Sequence, residues 1–216
     1  SKNRLIHLLD YLSKNYQKKK KERMNRLVSL LEINNSYVDI PEITEAVAWA
    51  QLSVDALITE QRGTGIWAGL PWLNNYWGRD TFISFPGALL VNGKFNEARQ
   101  ILESFGRFQL QNENDGWDGR IPNRIATNEI IYNTTDVTWW FIRAAYEYLL
   151  YSGDTTFAKQ IYPVIKKAIK GALRHRIDES FFLLHDDADT WMDAEGPNGA
   201  LSPRANRAIE VQVLWY

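Results

Sequence analysis

The sequence predicts an all-α fold, and three observations support this prediction. Apolar residues recur at helical spacing in a series of segments that together cover most of the chain. These segments are bounded by residues that start or stop helices, such as Pro41, Gly63, Gly93 and Asp154. Residues 181–185 form the one short strand that the pattern favours.

The first 33 residues are polar and lysine-rich and are predicted to form a leading helix. Their leucines fall at helical spacing, at Leu5, Leu8, Leu9, Leu12, Leu27, Leu30 and Leu31. The basic run Lys18–Lys21 fits a solvated helix face, because no aromatic group or second basic patch accompanies it. We therefore expect a leading helix and linker over residues 1–40 and a second domain over residues 41–216.

Three helices are predicted in the first part of the second domain. Residues 42–61 form the first, next to Pro41. Asp80 and Thr81 can cap a second helix that runs to about Val91 and is stopped by Gly93. A third starts at Asn96. Its apolar stripe consists of Ala98, Ile101, Leu102, Phe105 and Phe108.

Three more helices complete the pattern. The first covers residues 134–151, with Trp139, Ile142, Tyr146 and Leu149 at helical spacing. The second is capped by Asp154, runs to about Leu173 and is bent at Pro163, and the third opens at Asn206. About seven helices joined alternately by short and long loops suggest a helical toroid, although a bundle or solenoid has the same periodicity.

Composition excludes several classes of function. The net charge is −1 with 24% charged residues, so no strong field attracts nucleic acid. No apolar run is long enough to span a bilayer, and the absence of cysteine excludes disulfides and thiolate chemistry. The three histidines lie at no metal-ligand spacing. We therefore expect a soluble, cytoplasmic protein with no cofactor, metal, nucleic-acid or membrane partner, and its oligomeric state is left open.

Aromatic residues are unusually frequent, with nine Trp, ten Tyr and nine Phe. Several of the tryptophans lie in loops rich in Gly, Pro and Asn, at residues 67–81, 114–123 and 186–204. Each loop combines Trp with a carboxylate, Arg or Asn. Such a loop can stack an aromatic ring on a pyranose face while its polar groups bond the hydroxyls. The sequence thus indicates a sugar ligand.

Asp193 is the candidate for acid chemistry. Glycoside cleavage usually needs two carboxyl groups, one of which donates a proton to the leaving oxygen. That donor must keep its proton near neutral pH, which aromatic surface and neighbouring carboxylates favour. Asp193 lies two residues after Trp191 and close to Asp187, Asp189 and Glu195. The alternative, from local sequence alone, is that Asp193 caps a turn or a helix.

Four strings of residues resemble the amylo-α-1,6-glucosidase domain of glycogen debranching enzymes. They are WGRDTFI (77–83), TWMDA (190–194), PR (203–204) and IEVQVLWY (209–216), and they occur in the order of that family. The resemblance extends over residues 42–216. It implies an (α/α)6 barrel, inverting hydrolysis of α-1,6-linked glucose in a branched α-glucan, and the Asp of TWMD as general acid.

Transferred residue by residue, the resemblance implies one catalytic residue and a set of substrate-binding residues. The catalytic residue is Asp193. The substrate-binding residues are Trp77, Arg79, Asp80, Trp191, Arg204 and Glu210. For Arg79 and Asp80 the alternative is a buried ion pair that caps a helix.

Further substrate-binding residues are suggested by their place in the loops. In YNTTDVTWW (132–140), one tryptophan is expected in the core, while Trp140 and Asp136 are expected to line the pocket. Arg120 could bond sugar hydroxyls together with Asn123, and a loop-bracing salt bridge is the alternative for it.

The resemblance also implies that this chain supplies about half of a barrel. The catalytic base is then expected beyond Tyr216, and the chain alone is expected to be inactive, because protonation without an activated water is insufficient. Two alternatives remain open. One is a glucoamylase- or trehalase-type hydrolase on the same barrel, and the other is a noncatalytic glucan-binding module.

Overall fold

The computed structural model describes residues 2–33 and 40–216. They divide into two compact units, one made of the described residues up to Ala56 and the other of residues 57–216. The described residues form seven α-helices and seven strands of two or three residues, which confirms a mostly α fold. No helix in these ranges is long and apolar enough to cross a bilayer. The toroid and the domain division near residue 40 stay predictions.

The first unit consists of two helices, α1 (Lys2–Ile33) and most of α2 (Pro41–Leu57). The guanidinium groups of Arg23 and Arg26 lie 2.6 and 2.7 Å from the carboxylate of Asp55, whose side chain is fully buried. The leading helix is confirmed, but four leucines of its predicted stripe are exposed, namely Leu5, Leu8, Leu9 and Leu12.

The second unit is built on five helices. They are α3 (Gly78–Phe85), α4 (Phe95–Arg107), α5 (Asp136–Ser152), α6 (Thr155–His175) and α7 (Ile209–Trp215). A π-helical turn, Pro86–Leu90, continues directly from α3. Phe82 joins three helices, because its ring centroid lies 4.8 Å from that of Phe105 on α4 and 5.3 Å from that of Phe141 on α5. Both pairs are edge-to-face, a favourable aromatic geometry.

Aromatic pairs also join the remaining helices to α5. Tyr148 packs edge-to-face on Phe157 of α6 at 5.2 Å, and Trp139 packs in the same way on Trp215 of α7 at 4.8 Å. The predicted cap of α6 is confirmed, because the Asp154 carboxylate accepts the Phe157 backbone N–H at 2.9 Å.

Seven short antiparallel strands form small sheets between the helices. β1 (Ile58–Glu60) pairs with β2 (Thr64–Ile66), and β6 (Glu195–Gly196) pairs with β7 (Gly199–Ala200). A three-stranded sheet has the order β3 (Tyr76–Trp77), β4 (Arg124–Ile125) and β5 (Ile130–Ile131). This sheet brings the start of α3 beside the loop that precedes β4.

Three element predictions were wrong in detail. The strand predicted at residues 181–185 is a single bridge between Ile177 and Leu183. The helix predicted to run to residue 61 ends at Leu57, because the chain there enters β1. The cap predicted at Asp80 and Thr81 does not form, since α3 already begins at Gly78.

The predicted apolar stripes agree with the buried faces to different degrees on α4 and α5. On α4 the predicted Ala98, Ile101, Leu102 and Phe105 are all fully buried. On α5 the predicted Tyr146 is exposed, because the helix buries a neighbouring face. That face consists of Phe141, Ala144, Ala145 and Tyr148. The predicted stripe is therefore confirmed at Trp139, which is buried, and at Ile142, which packs against the same core cluster, and is wrong at Tyr146.

Candidate active site

The start of α3 is where three segments of the candidate site meet. Gly78 donates its backbone N–H to the Asn123 carbonyl at 2.6 Å. A Cβ atom on Gly78 would lie 2.5 Å from Cγ1 of Val137 and 2.8 Å from the Pro122 carbonyl oxygen. The missing side chain therefore permits α3, the loop before β4 and the start of α5 to approach one another closely.

Arg79, the next residue, connects α3 to α5 and to the loop after Asp189. Its Nε and Nη2 donate to the two carboxylate oxygens of Asp136 at 2.6 and 3.0 Å. Nη2 also donates to the Thr190 carbonyl at 2.8 Å, and Nη1 donates to Oδ2 of Asp193 at 3.4 Å. Burial alone would lower the pKa of Arg79, but its bonds and charge interaction with Asp136 raise it, so the guanidinium stays charged.

Asp193 lies between this guanidinium and a buried amide. The Asn123 side chain is fully buried, and its Nδ2 donates to Oδ1 of Asn133 at 2.9 Å and to Oδ2 of Asp193 at 3.3 Å. The Asp193 side chain is 24% exposed. Its nearest polar partners are thus Arg79 and Asn123. The tryptophan that lines a cavity with Asp193 is Trp117, whereas Trp191, its neighbour in sequence, is exposed.

The loop that carries Asp193 is fixed at Asp189. The carboxylate of Asp189 pairs with Arg120 at 2.5 Å and accepts a hydrogen bond from Thr135 Oγ1 at 2.7 Å. The backbone of Thr135 donates to the Asp189 carbonyl at 2.9 Å. Arg120 is buried and also donates to the Tyr132 carbonyl at 2.9 Å. This geometry favours the loop-bracing alternative for Arg120.

Arg120 also stacks on Trp117, with its Cζ 3.7 Å from the ring centroid. The Cζ of Arg176 lies 5.6 Å from the same centroid. Burial lowers the pKa of Arg120, although the negative charge of Asp189 and its hydrogen bonds act in the opposite direction and raise it. Such cation–π contacts are strongest in desolvated surroundings.

An open cavity of about 360 Å3 lies beside Asp193. Its size falls in the range of small-ligand sites. Its walls combine one aromatic ring with an amide and five carboxylates, and the lining residues are Trp117, Asn133, Asp186, Asp187, Ala188, Asp189, Asp193, Glu195 and Ala200. The groups suit hydrogen bonding to hydroxyls. Among the described residues, no group of three or more His, Cys, Asp or Glu side chains could hold a metal ion.

Of the other predicted site residues, Trp77 and Trp140 are half-buried beside arginines. The Cζ of Arg124 lies 5.4 Å from the Trp77 ring, and the Cζ of Arg143 lies 5.3 Å from the Trp140 ring. Trp139 is the core tryptophan of the pair, as expected.

Trp191 and Asp80 are exposed, whereas Arg204 and Glu210 pair with each other. The Trp191 side chain is 54% exposed. Asp80 lies exposed in the first turn of α3. Nη2 of Arg204 lies 2.9 Å from the Glu210 carboxylate. The ion pair of Arg79 forms with Asp136 and does not form with Asp80.

The structure adds two site residues that the sequence did not single out for a role, Asp189 and Thr190. Both are fully or almost fully buried. Thr190 begins the TWMDA string and Asp189 is one of the carboxylates near Asp193, so the sequence drew attention to both without indicating their contacts. Their partners, Arg120 and Arg79, are remote in sequence, and no local pattern connects them.

The chain is similar to a known family and to a known protein. The sequence model of a family described as amylo-alpha-1,6-glucosidase matches residues 47–216. The glycogen debranching enzyme of Saccharomyces cerevisiae is 37% identical over 101 residues, which is 44% of this chain. That match covers 6% of the length of the yeast protein, so the chain corresponds to a small part of it.

Proposed function

This chain belongs to the amylo-alpha-1,6-glucosidase family. From that premise we propose that it is part of an enzyme that hydrolyses α-1,6-linked glucose in branched α-glucan. Asp193 is the proposed general acid. The observation that supports this role is the partly exposed Asp193 carboxyl, which lines a cavity of about 360 Å3 together with Trp117 and Asn133. The (α/α)6 barrel is proposed with it, as the resemblance implies.

The proposed reaction proceeds with inversion at the anomeric carbon. Asp193 gives its proton to the glycosidic oxygen while the bond from that oxygen to C1 breaks, and the electron pair of the bond stays on the oxygen. Water attacks C1 from the opposite face and gives its proton to a second carboxylate. The products are free glucose and a glucan with a new hydroxyl group, so atoms and charges balance.

The second carboxylate is proposed to lie beyond Tyr216, as the resemblance implies. Inverting enzymes hold their two carboxyl groups roughly 6.5–9.5 Å apart to leave room for the water. Glu195 and Asp187 line the same cavity as Asp193 and are the alternative bases within the chain. The variants Glu195→Gln and Asp187→Asn decide between the two possibilities, because loss of the base costs about 10²-fold or more in turnover.

Substrate binding is proposed to use, besides the lining of this cavity, the exposed and half-buried residues that the resemblance and the loops indicate. The Trp191 ring offers a face for stacking, and Trp77 and Trp140 are partly accessible. Asp80 is exposed and offers its carboxylate to hydroxyls, whereas Arg204 and Glu210 are partly exposed and would first exchange the bond between them at 2.9 Å. For Arg79, Asp136 and Arg120, whose polar groups engage one another or Asp189, a direct contact with sugar requires that existing bonds be exchanged.

The decisive experiment compares Asp193→Asn with the wild type in the full-length protein. Glucose release from an α-1,6-branched oligosaccharide should fall by about 10²–10⁴-fold, the usual contribution of a general acid. Tryptophan fluorescence titration with the same oligosaccharide should show little change in affinity. Asp10→Asn is the matched control, because Asp10 lies exposed on α1 and pairs with Lys14. Near-normal turnover by Asp193→Asn would remove the assignment.

The alternatives are separated by substrate and product. Release of glucose from α-1,6-branched but not from α-1,4-linear oligosaccharides supports debranching over a glucoamylase-type activity. Initial release of β-glucose, observed by NMR before mutarotation, supports inversion. Binding of glucan without any glucose release by the full-length protein supports the noncatalytic module.

A further inference from the structure

Both donors to Asp193 reach the same oxygen atom. Nη1 of Arg79 and Nδ2 of Asn123 approach Oδ2 at 3.4 and 3.3 Å. Among the residues that the structure describes, none donates a hydrogen bond to Oδ1 of Asp193. The two oxygens of this carboxyl group therefore have different surroundings.

This asymmetry suits a group that changes its protonation state during turnover. When Asp193 carries its proton on Oδ1, Oδ2 is a carbonyl oxygen and accepts both bonds. When the proton has left, Oδ2 is a carboxylate oxygen and still accepts them. Neither donor has to move between the two states, so the orientation of the carboxyl group is preserved through the reaction.

Both donors are themselves held in place by neighbouring groups. The Asn123 side chain is enclosed on all sides, and its backbone bonds Gly78 and Ile131. The Arg79 guanidinium is fixed because it donates two hydrogen bonds to the Asp136 carboxylate and one to the Thr190 carbonyl. With Nε, Nη1 and Nη2 all engaged, Arg79 is better suited to positioning Asp193 than to binding a hydroxyl. Distances of 3.3–3.4 Å are long for hydrogen bonds, and catalytic bonds often tighten only in the substrate complex.

We propose that Arg79 and Asn123 are positioning residues that anchor Oδ2 of Asp193, so that the proton given to the glycosidic oxygen leaves from Oδ1. This inference rests on the proposed role of Asp193 as general acid. It adds a function for two residues and identifies the reacting oxygen. The bond from Oδ1 to its proton breaks as the bond from the glycosidic oxygen to that proton forms, and C1 separates from the protonated oxygen.

The test uses two substrates that differ in their need for an acid. An α-1,6-linked disaccharide has a poorly leaving sugar hydroxyl and needs protonation, whereas α-glucosyl fluoride loses fluoride with little help. The variants Asn123→Ala and Arg79→Lys, made in the full-length protein, should lose about 10–100-fold in kcat on the disaccharide, part of what a general acid contributes. On the fluoride their loss should be under about threefold.

Matched controls come from polar residues outside this network. Arg99→Lys alters a guanidinium that pairs with Glu103, and Asn92→Ala removes an amide that bonds the Gly87 carbonyl. Both should keep wild-type rates on both substrates. Asn123→Ser serves in place of Asn123→Ala if the latter does not fold, because the smaller polar group leaves the backbone bonds unchanged.

The outcomes separate this inference from the proposed function. If Asp193→Asn loses the disaccharide reaction but keeps the fluoride reaction, the acid role stands. If Arg79→Lys and Asn123→Ala then show the same pattern to a smaller degree, the positioning role is supported. Equal losses on both substrates by these variants would overturn it and indicate sugar binding or a structural role. Near-normal disaccharide turnover by Asp193→Asn would instead overturn the proposed function.

Discussion

Arg120 and Asp189 lie 69 residues apart in the sequence and form an ion pair whose side chains are only 8% and 3% exposed. The pair ties the loop before β4 to the loop that carries Asp193. Breaking a buried pair leaves one charge without compensation, which is far more costly than losing a pair in water.

Removal of either partner should therefore destabilise the second unit strongly. Arg120→Ala and Asp189→Asn should each lower the free energy of unfolding by about 3–5 kcal/mol, measured by chemical denaturation. The double variant should lose less than the sum of the single losses, because no unpaired charge remains buried.

The pair between Arg204 and Glu210 is the control for this prediction. Both side chains are 31% exposed, so solvent screens their attraction. Arg204→Ala should cost only about 0.2–1 kcal/mol. A loss from Arg120→Ala as small as that from Arg204→Ala would argue against a structural brace and favour a role of Arg120 in binding sugar.

Gly78 should tolerate no side chain. A Cβ atom there would lie 2.5 Å from a Val137 methyl group and 2.8 Å from the Pro122 carbonyl oxygen. Gly78→Ala should destabilise the protein by about 1–3 kcal/mol or more, the range for overpacked sites. The same substitution should reduce turnover, because Gly78 directly precedes Arg79.

Gly87 offers the matched substitution in the π-helical turn. Apart from its chain neighbours and the backbone of its own helical turn, no heavy atom of the described residues lies within 4 Å of a Cβ atom placed there. Gly87→Ala should be neutral or stabilising by about 0.5–1 kcal/mol, since alanine loses less backbone entropy on folding. If Gly78→Ala and Gly87→Ala changed the melting temperature equally, the close contacts around Gly78 would not limit the stability of the protein.

Substitution by alanine should lower sugar affinity at Trp191 and folding stability at Trp139. Trp191 is 54% exposed, so Trp191→Ala should leave the melting temperature almost unchanged. If its ring stacks on sugar, affinity for the oligosaccharide should fall by about 1 kcal/mol or more, the loss expected when an aromatic residue that anchors a ligand is truncated.

Trp139 is 6% exposed and packs on Trp215. Trp139→Ala should cost about 3–5 kcal/mol in stability, as for other large core residues. Calorimetry for binding and circular dichroism for unfolding measure the two effects. An unchanged affinity in Trp191→Ala would exclude stacking by that ring.

Asp154 should make the stability of α6 depend on pH in the acid range. The Phe157 backbone N–H, bonded to its carboxylate, lowers the pKa of Asp154 below its ordinary value of 3.8. A lowered pKa in the folded state contributes stability that is present above the ordinary value and is lost as the pH falls through the folded value.

The variants Asp154→Asn and Asp154→Ala separate charge from capping. Asparagine also caps helices but does not titrate near this pH. The stability difference between wild type and Asp154→Asn should shrink as the pH falls below about 4, whereas Asp154→Ala should stay less stable than Asp154→Asn throughout. Denaturant midpoints measured at several pH values test this. A difference that does not change with pH would contradict the pKa shift.

The sequence by itself determined the helices and the family. Periodicity and stop signals are local properties, so α1, α4 and the Asp154 cap followed from neighbouring residues, and α7 was predicted with a start three residues before Ile209. The ordered motifs from residue 77 to residue 216 indicated the family, and the match over residues 47–216 confirmed it.

The tertiary structure decided which residues act together. Arg79 pairs with Asp136, which is 57 residues away, and Arg120 pairs with Asp189. Adjacent residues such as Arg79 and Asp80 looked like partners in the sequence. Contacts between remote segments depend on how helices pack and on short strands of two residues, and neither leaves a local pattern. For the same reason, only the fold reveals that the neighbours of Asp193 are a guanidinium and an amide.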